Sequence, residues 1–600
     1  MCGIYGIIGK DVKKLKSVFG LMGKEIKHRG PDFSGKYISN NLLLGHQRLS
    51  ILDLSSKANQ PLKSYNSRYI ISFNGEIYNY LELNKQLNLS KNNGDTRVLV
   101  EVMNKYNLRG LDKLRGMFAF ALHDTTNQLS YLVRDRFGIK PLYYTTQNNH
   151  LYFASEIKPL IKISNSINVN EKIIHDYLRE SLIDHTNETF YKNIYQLEPG
   201  SFLKIDRNGK ILKKTKWYNL SDKLDKKKII KDPIESYCEV FKETIKLHLR
   251  SEVKVGLALS GGIDSKIILD EVINKFNNEK LNSYSFYFKE EKFSERKGIL
   301  ENIGRHKLNS NFIIQKKSIL KDLRKNIIIQ EQPFGGIATM AMKNIFKIVK
   351  EDNIKVILTG AGADDCLAGS NREIIYFLAS IRKNKKEFNS ELSSFCKNNN
   401  LDKKNILNKI HALDKNNLTS ADGTNATNDY FLLNKNFNKT NCKNTQTFKD
   451  KLIDRIISNK LPRTLRYEDR NSMYNSIENR VPFLDHELVE FSLNLPENFI
   501  INNGLGKNIL RRILKTKYKY KNAFKKKKSI QTPQTQWLTS KIGIIMINKI
   551  LNKKNPFISN YIDINKAKNF MKSNKLSKIN NSNFIWQWLS LELWYEQFIK

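Results

Sequence analysis

The sequence predicts a two-part chain. The first part is an α+β layered sandwich of stacked antiparallel sheets with helices; the second is an α/β unit with a parallel sheet and a helical C-terminal part. Three observations predict this. At 600 residues the chain is too long for one core. Short apolar runs alternate with turns up to about residue 215, and a strand–helix rhythm replaces them after residue 233. Between them, Asp222–Lys231 is charged and poor in apolar residues. The boundaries follow as 2–215, a linker over 216–233, and 234–600.

In the first part, Tyr69–Phe73, Met117–Leu122, Tyr131–Val133 and Leu151–Ala154 read as strands and Thr96–Tyr106 as a helix. Asn74-Gly75 reads as a turn after the first of these strands, and Asp206–Gly209 as a late hairpin turn. In the second part, Ile234–Leu249 reads as a helix, Val253–Leu259 as a buried strand and Lys266–Phe276 as a helix. Leu281–Phe288 and Ile354–Leu358 are further strands, and Ala338–Lys350 is the helix before the latter. Beyond about Glu373 the chain reads helical, with a Lys- and Asn-rich stretch over Lys383–Lys449 that is loop-prone in places.

Composition excludes several function classes. No apolar run approaches the ~18 residues of a membrane span. No basic segment precedes an apolar one at the N-terminus, so a cytoplasmic protein without a membrane partner is expected. The five cysteines, at 2, 238, 366, 396 and 442, have no CxxC or CxxH spacing, which argues against zinc and against a disulfide framework. The net charge of +43 suggests nucleic acid, but the positive residues are mostly Lys, spread along the chain and accompanied by abundant Asn. A solvated lysine-rich surface is the better reading, with no specific nucleic-acid partner.

Cys2 is the first candidate catalytic residue. Removal of Met1 would give it a free α-amino group of pKa ~7.7–8.0 beside its own thiol, a base and a nucleophile in one residue. Arg48 ends an apolar run, Asn74, Gly75 and Glu76 sit together, and Gly94-Asp95 opens a helix. An amino-acid amide substrate needs such groups: an Arg for the carboxylate, carboxylates for the ammonium, and an oxyanion donor. Together with Arg115–Phe120, Arg134–Tyr144 and Ala154–Lys158, they resemble the N-terminal-nucleophile glutaminase domain of the Cys2 glutamine amidotransferases. The resemblance implies that Cys2 attacks glutamine and that Asn74 and the Gly75 N–H form the oxyanion hole. It implies that Arg48 holds the α-carboxylate, Glu76 and Asp95 the α-ammonium, and that the backbone of Leu49, Ser50, Ile51 and Leu52 lines the pocket. An exposed Cys2 separates the chain from β-lactam-forming relatives.

Ser260-Gly261-Gly262-Ile263-Asp264-Ser265 follows a strand and opens a helix, a setting that presents N–H groups and a helix terminus to phosphate. Thr359-Gly360-Ala361-Gly362-Ala363-Asp364-Asp365 is a second glycine-rich, acidic loop at the end of a strand. With Leu465–Met473, Ser476–Asp485 and Gly506–Arg511, these resemble the ATP-pyrophosphatase domain of glutamine-hydrolysing asparagine synthetases. The resemblance implies that Leu259, Ser260, Gly261, Gly262, Asp264, Ser265, Phe288, Thr359 and Gly360 bind ATP. It implies that Asp264 and Asp364 hold Mg²⁺ and that Lys507 stabilises developing charge. Aspartate would be adenylated, ammonia would displace AMP, and an apolar passage would join the sites; a homodimer is the assembly considered. Three positions depart from the family: Ala361 and Asp365 stand where glutamates are usual, and Lys266 follows Ser265 in place of Ser. The family assigns the glutamate at position 361 a role in adenylation and ammonia attack. The departures keep open another carboxylate acceptor, such as a surface sugar or small peptide, and a glutaminase with an impaired synthetase half.

Overall fold

The structure, a computed structural model, describes residues 2–90, 93–164, 167–225, 229–276, 281–306, 308–414, 430–433, 447–525, 532–573 and 582–600. Two six-stranded antiparallel sheets make the first part. One runs, in spatial order, Tyr195–Gln196, Tyr143–Gln147, His150–Ala154, Gly3–Ile8, Leu42–Arg48, Phe33–Ile38. The other runs Ile211–Lys216, Ser201–Ile205, Leu129–Arg134, Gly116–Asp124, Tyr69–Ile77, Leu62–Lys63. Ile4, Ile8 and Leu44 of the first meet Ile70, Ala121 and Leu132 of the second in a shared core. The outer faces take helices: Phe19 and Met22 of Lys16–Glu25 pack with Tyr5 and Ile7, and Val98 and Val102 of Asp95–Tyr106 pack with Ile71 and Phe73. The result is the helix–sheet–sheet–helix layering that the alternating patterns predicted.

The second part holds a five-stranded parallel sheet in the order Leu308–Gln315, Leu281–Phe288, Val255–Ala258, Val356–Leu358, Glu478–Arg480. Ile345 and Val349 of the helix Ile337–Glu351 pack against Tyr284 and Ile357. On the other side, Tyr237 and Phe241 of Pro233–His248 and Ile267 of Ile263–Phe276 join Leu257. Asp232 caps Pro233–His248 by accepting from the N–H groups of Ile234 and Glu235, with proline at the first helical position.

Several expectations need correction. Asn74-Gly75 is not a turn: Tyr69–Ile77 runs straight through it, paired along its length with Gly116–Asp124. The buried strand is shorter than expected, Val255–Ala258. Leu308–Gln315 and Glu478–Arg480 are strands that were not anticipated. In the Lys- and Asn-rich stretch, by contrast, Lys385–Asn399 and Lys403–Asp414 are helices in line with the helical reading beyond Glu373, and 415–429 and 434–446 lie outside the described residues.

The halves are packed together. Leu49 and Ile51 touch Val356 of the parallel sheet. The C-terminal helix Asn583–Phe598 lies against the first half: the Tyr177 and Ser590 hydroxyls are 2.9 Å apart, and Trp594 Nε1 donates to the Tyr191 hydroxyl at 2.8 Å. Among the described residues no helix is long and apolar enough to cross a membrane.

Candidate active site

Cys2 leads into a central strand of the first sheet. Its backbone nitrogen donates to Asn74 Oδ1 at 2.9 Å, and its Sγ lies 3.9 Å from the Leu49 carbonyl. It is buried, at 8 % exposure, and not exposed as expected; burial pushes the thiol above its ordinary range. The strand's period of two explains why Asn74 and Glu76 reach it. Ile71, Phe73 and Ile77 face the outer helix, so Ser72, Asn74 and Glu76 face the first sheet, where Ser72 Oγ bonds the Gly45 carbonyl at 3.0 Å. Asn74 is fully buried, and its Nδ2 has no acceptor among the described residues. Position 75 has no room for a side chain: a Cβ would lie 2.1 Å from the Met117 carbonyl oxygen.

Cys2, Arg48, Leu49, Ile51, Leu52, Gly75, Glu76 and Asp95 line one cavity of ≈ 30 Å³. The loop after Arg48 borders this cavity. Arg48 holds that loop in place, donating to the Ser55 carbonyl at 2.8 Å, Asn59 Oδ1 at 2.7 Å and the Asp53 carbonyl. Ser50 does not line the cavity; its N–H goes to Asp32 Oδ2 at 2.8 Å. Burial, then the negative charge of Glu478 and Asp95, pushes the Glu76 carboxyl well above the usual carboxylate range. Burial also raises Asp95 to about 6, against the N–H groups of Ile77 and Thr96. Two carboxyls that burial holds toward the neutral form would gain from an ammonium ligand.

Residues outside the predicted set tie this cavity to the second half. Arg29 is fully buried; its Nε donates to the Cys2 carbonyl at 3.1 Å and its Nη groups to Glu156 at 2.9 Å and Asp469 at 2.8 Å and 3.0 Å. Arg480 bonds Glu478 at 2.6 Å, and its Nη2 lies 3.6 Å from Glu76 Oε2. The Arg480 carbonyl accepts the Thr359 N–H at 3.0 Å. Burial alone would raise Glu478, but nearby cations including Arg480 and Lys140 hold it down at about 2. These residues between the two sites are charged and mutually paired.

The second site is a cavity of ≈ 270 Å³ at the C-terminal edge of the parallel sheet. Leu259, Ser260, Asp264, Ser265, Phe288, Thr359, Gly360 and Asp364 line it, together with Ala361, Asp365 and Glu468. Gly261 and Gly262, also expected here, are not among the residues that line it. The Gly261 N–H donates to Glu295 Oε2 at 3.3 Å, so a carboxylate already rests on the loop's anion-accepting N–H. Lys507 Nζ sits between the Asp264 oxygens, 2.6 Å from each, and Asp364 Oδ1. Lys507 has φ +57, left-handed backbone for a non-glycine residue, fixed by its N–H to the Leu367 carbonyl at 2.8 Å. The fit beside it is tight: a Cβ on Gly369 would lie 1.7 Å from Asp364 Oδ1. Two carboxylates gathered at one cation and beside a phosphate-accepting loop form a hard oxygen set that suits Mg²⁺, which takes one or two carboxylates and completes its shell from phosphates and water. Asp365 turns to Arg455 Nε, at 2.7 Å.

Comparisons with known proteins place both halves. A glutamine amidotransferase domain model matches residues 1–218, and an asparagine synthase model matches 237–596. The chain is 27 % identical over 633 aligned residues to the glutamine-hydrolyzing asparagine synthetase 1 of Bacillus subtilis, covering 99 % of this chain and 96 % of that one. It is 34 % identical over 399 residues to a Methanocaldococcus jannaschii protein provisionally named glutamine-hydrolyzing asparagine synthetase 2, covering 62 % of this chain and 75 % of that one. Among solved structures, the allosteric regulatory enzyme of purine biosynthesis matches 52 % of this chain and 80 % of its own, with a TM-score of 0.29 at 14 % identity. With the synthase model spanning more than half its length behind an amidotransferase domain, the chain belongs to the glutamine-hydrolysing asparagine synthetase family.

Proposed function

We propose that the protein is a glutamine-dependent carboxylate amidotransferase and that its acceptor is aspartate, giving asparagine. The observation that carries the amidotransferase reading is Arg480; aspartate rests on the family's name. Its guanidinium lies 3.6 Å from Glu76 in the Cys2 cavity, while its carbonyl accepts the N–H of Thr359 in the second cavity. One residue therefore touches a site suited to releasing ammonia and a site suited to consuming it.

In the first site, with Met1 removed, the Cys2 thiol gives its proton to its own amine and attacks the glutamine amide carbon. Asn74 Nδ2, buried without an acceptor, and the Gly75 N–H stabilise the oxyanion. Glu76 and Asp95 hold the α-ammonium, and Arg48 holds the α-carboxylate by trading the loop carbonyls it now binds; the amide C–N bond breaks to release ammonia, protonated by the Cys2 amine, and water then hydrolyses the Cys2 thioester to release glutamate and restore the thiol. In the second site, residues 259–265 and 359–360 hold ATP so that the acceptor carboxylate reaches the α-phosphorus. Mg²⁺, where bound, would be held by Asp264 and Asp364 and would neutralise phosphate charge. Lys507 turns from these carboxylates toward the charge that grows on the phosphate and acyl oxygens. The unit boundaries in this reading are 2–215, 216–233 and 234–600.

A second reading, amidation of another carboxylate, is favoured by the methyl group of Ala361 in the cavity and by Asp365 being turned to Arg455. ATP–pyrophosphate exchange across a panel of carboxylates, with glutamine hydrolysis followed in parallel, separates the two. Exchange with aspartate and formation of asparagine are expected. Exchange with a different carboxylate alone would replace aspartate by that acceptor. Glutamine hydrolysis with no exchange at all would sink both readings.

A further inference from the structure

Ala361 puts a methyl group in the ATP-side cavity where the family resemblance expects a carboxylate. The same cavity is lined by another carboxylate that the sequence motifs did not single out, Glu468, from the helix Leu461–Met473. Its Oε2 accepts from Asn479 Nδ2 at 2.5 Å and from Thr359 Oγ1 at 3.4 Å. Both bonds fall on that one oxygen, which leaves Oε1 for the cavity. Asn479 stands between Glu478 and Arg480, the two residues that approach the Cys2 cavity. Glu468 is therefore fixed where the strand joining the two sites meets the second cavity, held by Thr359, which lies two residues along the loop from Ala361.

We propose that Glu468 is the proton acceptor for ammonia attacking the activated carboxyl carbon, supplying from a helix the carboxylate that the loop lacks at position 361. This rests on the reading of the cavity as an acyl-adenylate amidation centre. In the step, the ammonia nitrogen forms a C–N bond to the acyl carbon, and the acyl C–O bond to AMP breaks with its electron pair leaving on the phosphate. One N–H proton passes to Glu468 Oε1, giving the neutral amide, AMP and a protonated Glu468. The setting suits a proton acceptor, because burial raises Glu468 to about 7, with the Asn479 and Thr359 bonds opposing the rise and Asp365 adding to it. Such a group works best when it titrates near the operating pH.

The test uses the full chain with ammonium as nitrogen donor, so that Cys2 is bypassed, and Glu468→Gln, which keeps the shape and a carbonyl acceptor for Asn479 but removes the basicity. Amide formation is expected to fall about 100-fold or more, as for loss of a general base. ATP–pyrophosphate exchange should fall less than about tenfold, since adenylation needs no proton acceptor. Glutamine hydrolysis reports that the variant is folded. Adding Ala361→Glu to Glu468→Gln should return about tenfold or more of the amide formation by placing a carboxylate back in the cavity. Near-parental amide formation in Glu468→Gln overturns the assignment. So does an equal loss of exchange and amide formation, or a double variant that regains nothing. Absence of exchange in the unsubstituted protein would instead overturn the amidation reading beneath it.

Discussion

Replacing Asn74 by alanine separates catalysis from stability. The substitution removes the hydrogen bond from the Cys2 nitrogen, worth a net ~0.5–1.5 kcal/mol. It also removes a buried Nδ2 that has no acceptor, whose burial costs ~1–3 kcal/mol. The two terms oppose, so stability should stay within about 1–2 kcal/mol of the parent. Catalysis has no such compensation. If Nδ2 is held for the oxyanion, its loss removes ~2.7–4 kcal/mol of transition-state stabilisation, a drop of ~10²–10³ in kcat. The donor acts on an oxygen that becomes charged only in the transition state, so KM for glutamine should move little. Initial rates of glutamate release against glutamine concentration, with a thermal melt of the same preparation, give both numbers. A kcat within threefold of the parent would refute the reasoning. A fall in kcat matched by a rise in KM and a lower melting temperature would refute it equally, because that pattern describes a structural asparagine.

Cys2→Ala should abolish glutamine-dependent synthesis and leave ammonium-dependent synthesis within a few-fold of the parent, measured by amide formation with each donor. The KM for glutamine should rise as pH falls through about 6, since protonation of Asp95 removes a charge that holds the ammonium and the raised Glu76 titrates in the same direction. The ligand-free fold carries the opposite sign. A carboxyl whose folded value is raised contributes most when protonated, and that contribution fades as pH rises from ~3.9 toward about 6, so glutamine should raise the melting temperature more at pH 8 than at pH 5. Arg29→Met leaves Glu156 with only His28 and Lys158, and Asp469 with only Arg470, and should cost up to about 3–5 kcal/mol, read as a lower denaturant midpoint together with loss of glutamine hydrolysis. Ala361→Glu in the otherwise unchanged chain should alter amide formation by only a few-fold, since Glu468 already lines that cavity.

The residues that line the Cys2 cavity were legible because they cluster in sequence as well as in space. Arg48 ends a strand and Gly94-Asp95 opens a helix, as read. The local geometry of Asn74-Gly75 was not legible. Asn-Gly favours a turn when nothing else acts on it, but nine residues of pairing with Gly116–Asp124 outweigh that preference, and the glycine is needed because Met117 leaves no space for a Cβ. Leu308–Gln315 is a half-exposed edge strand whose polar residues mask the period, and Glu478–Arg480 is three polar residues whose strand state comes only from Val356–Leu358 beside them. The joining network escaped because its decisive contacts, Arg29 with Asp469 and Arg480 with Glu76, link positions hundreds of residues apart that no short window contains together. Ser50, expected in the pocket, turns away because Asp32 claims its N–H. Asp264, Asp364 and Lys507 were each anticipated, but that the lysine lies between the two carboxylates required coordinates.

The packing of Asn583–Phe598 against the first half sets an order of events during synthesis. Tyr177 meets Ser590, 413 positions later, and Tyr191 meets Trp594, 403 positions later. At ~5–20 residues per second, a ribosome needs about 20–80 s to make the second member of such a pair after the first. Through that interval Tyr177, Tyr191 and Phe190, all buried in the finished protein, lack the tryptophan-rich helix that covers them. The amidotransferase half leaves the ribosome with an open apolar flank, and the last helix of the synthetase half is what closes it.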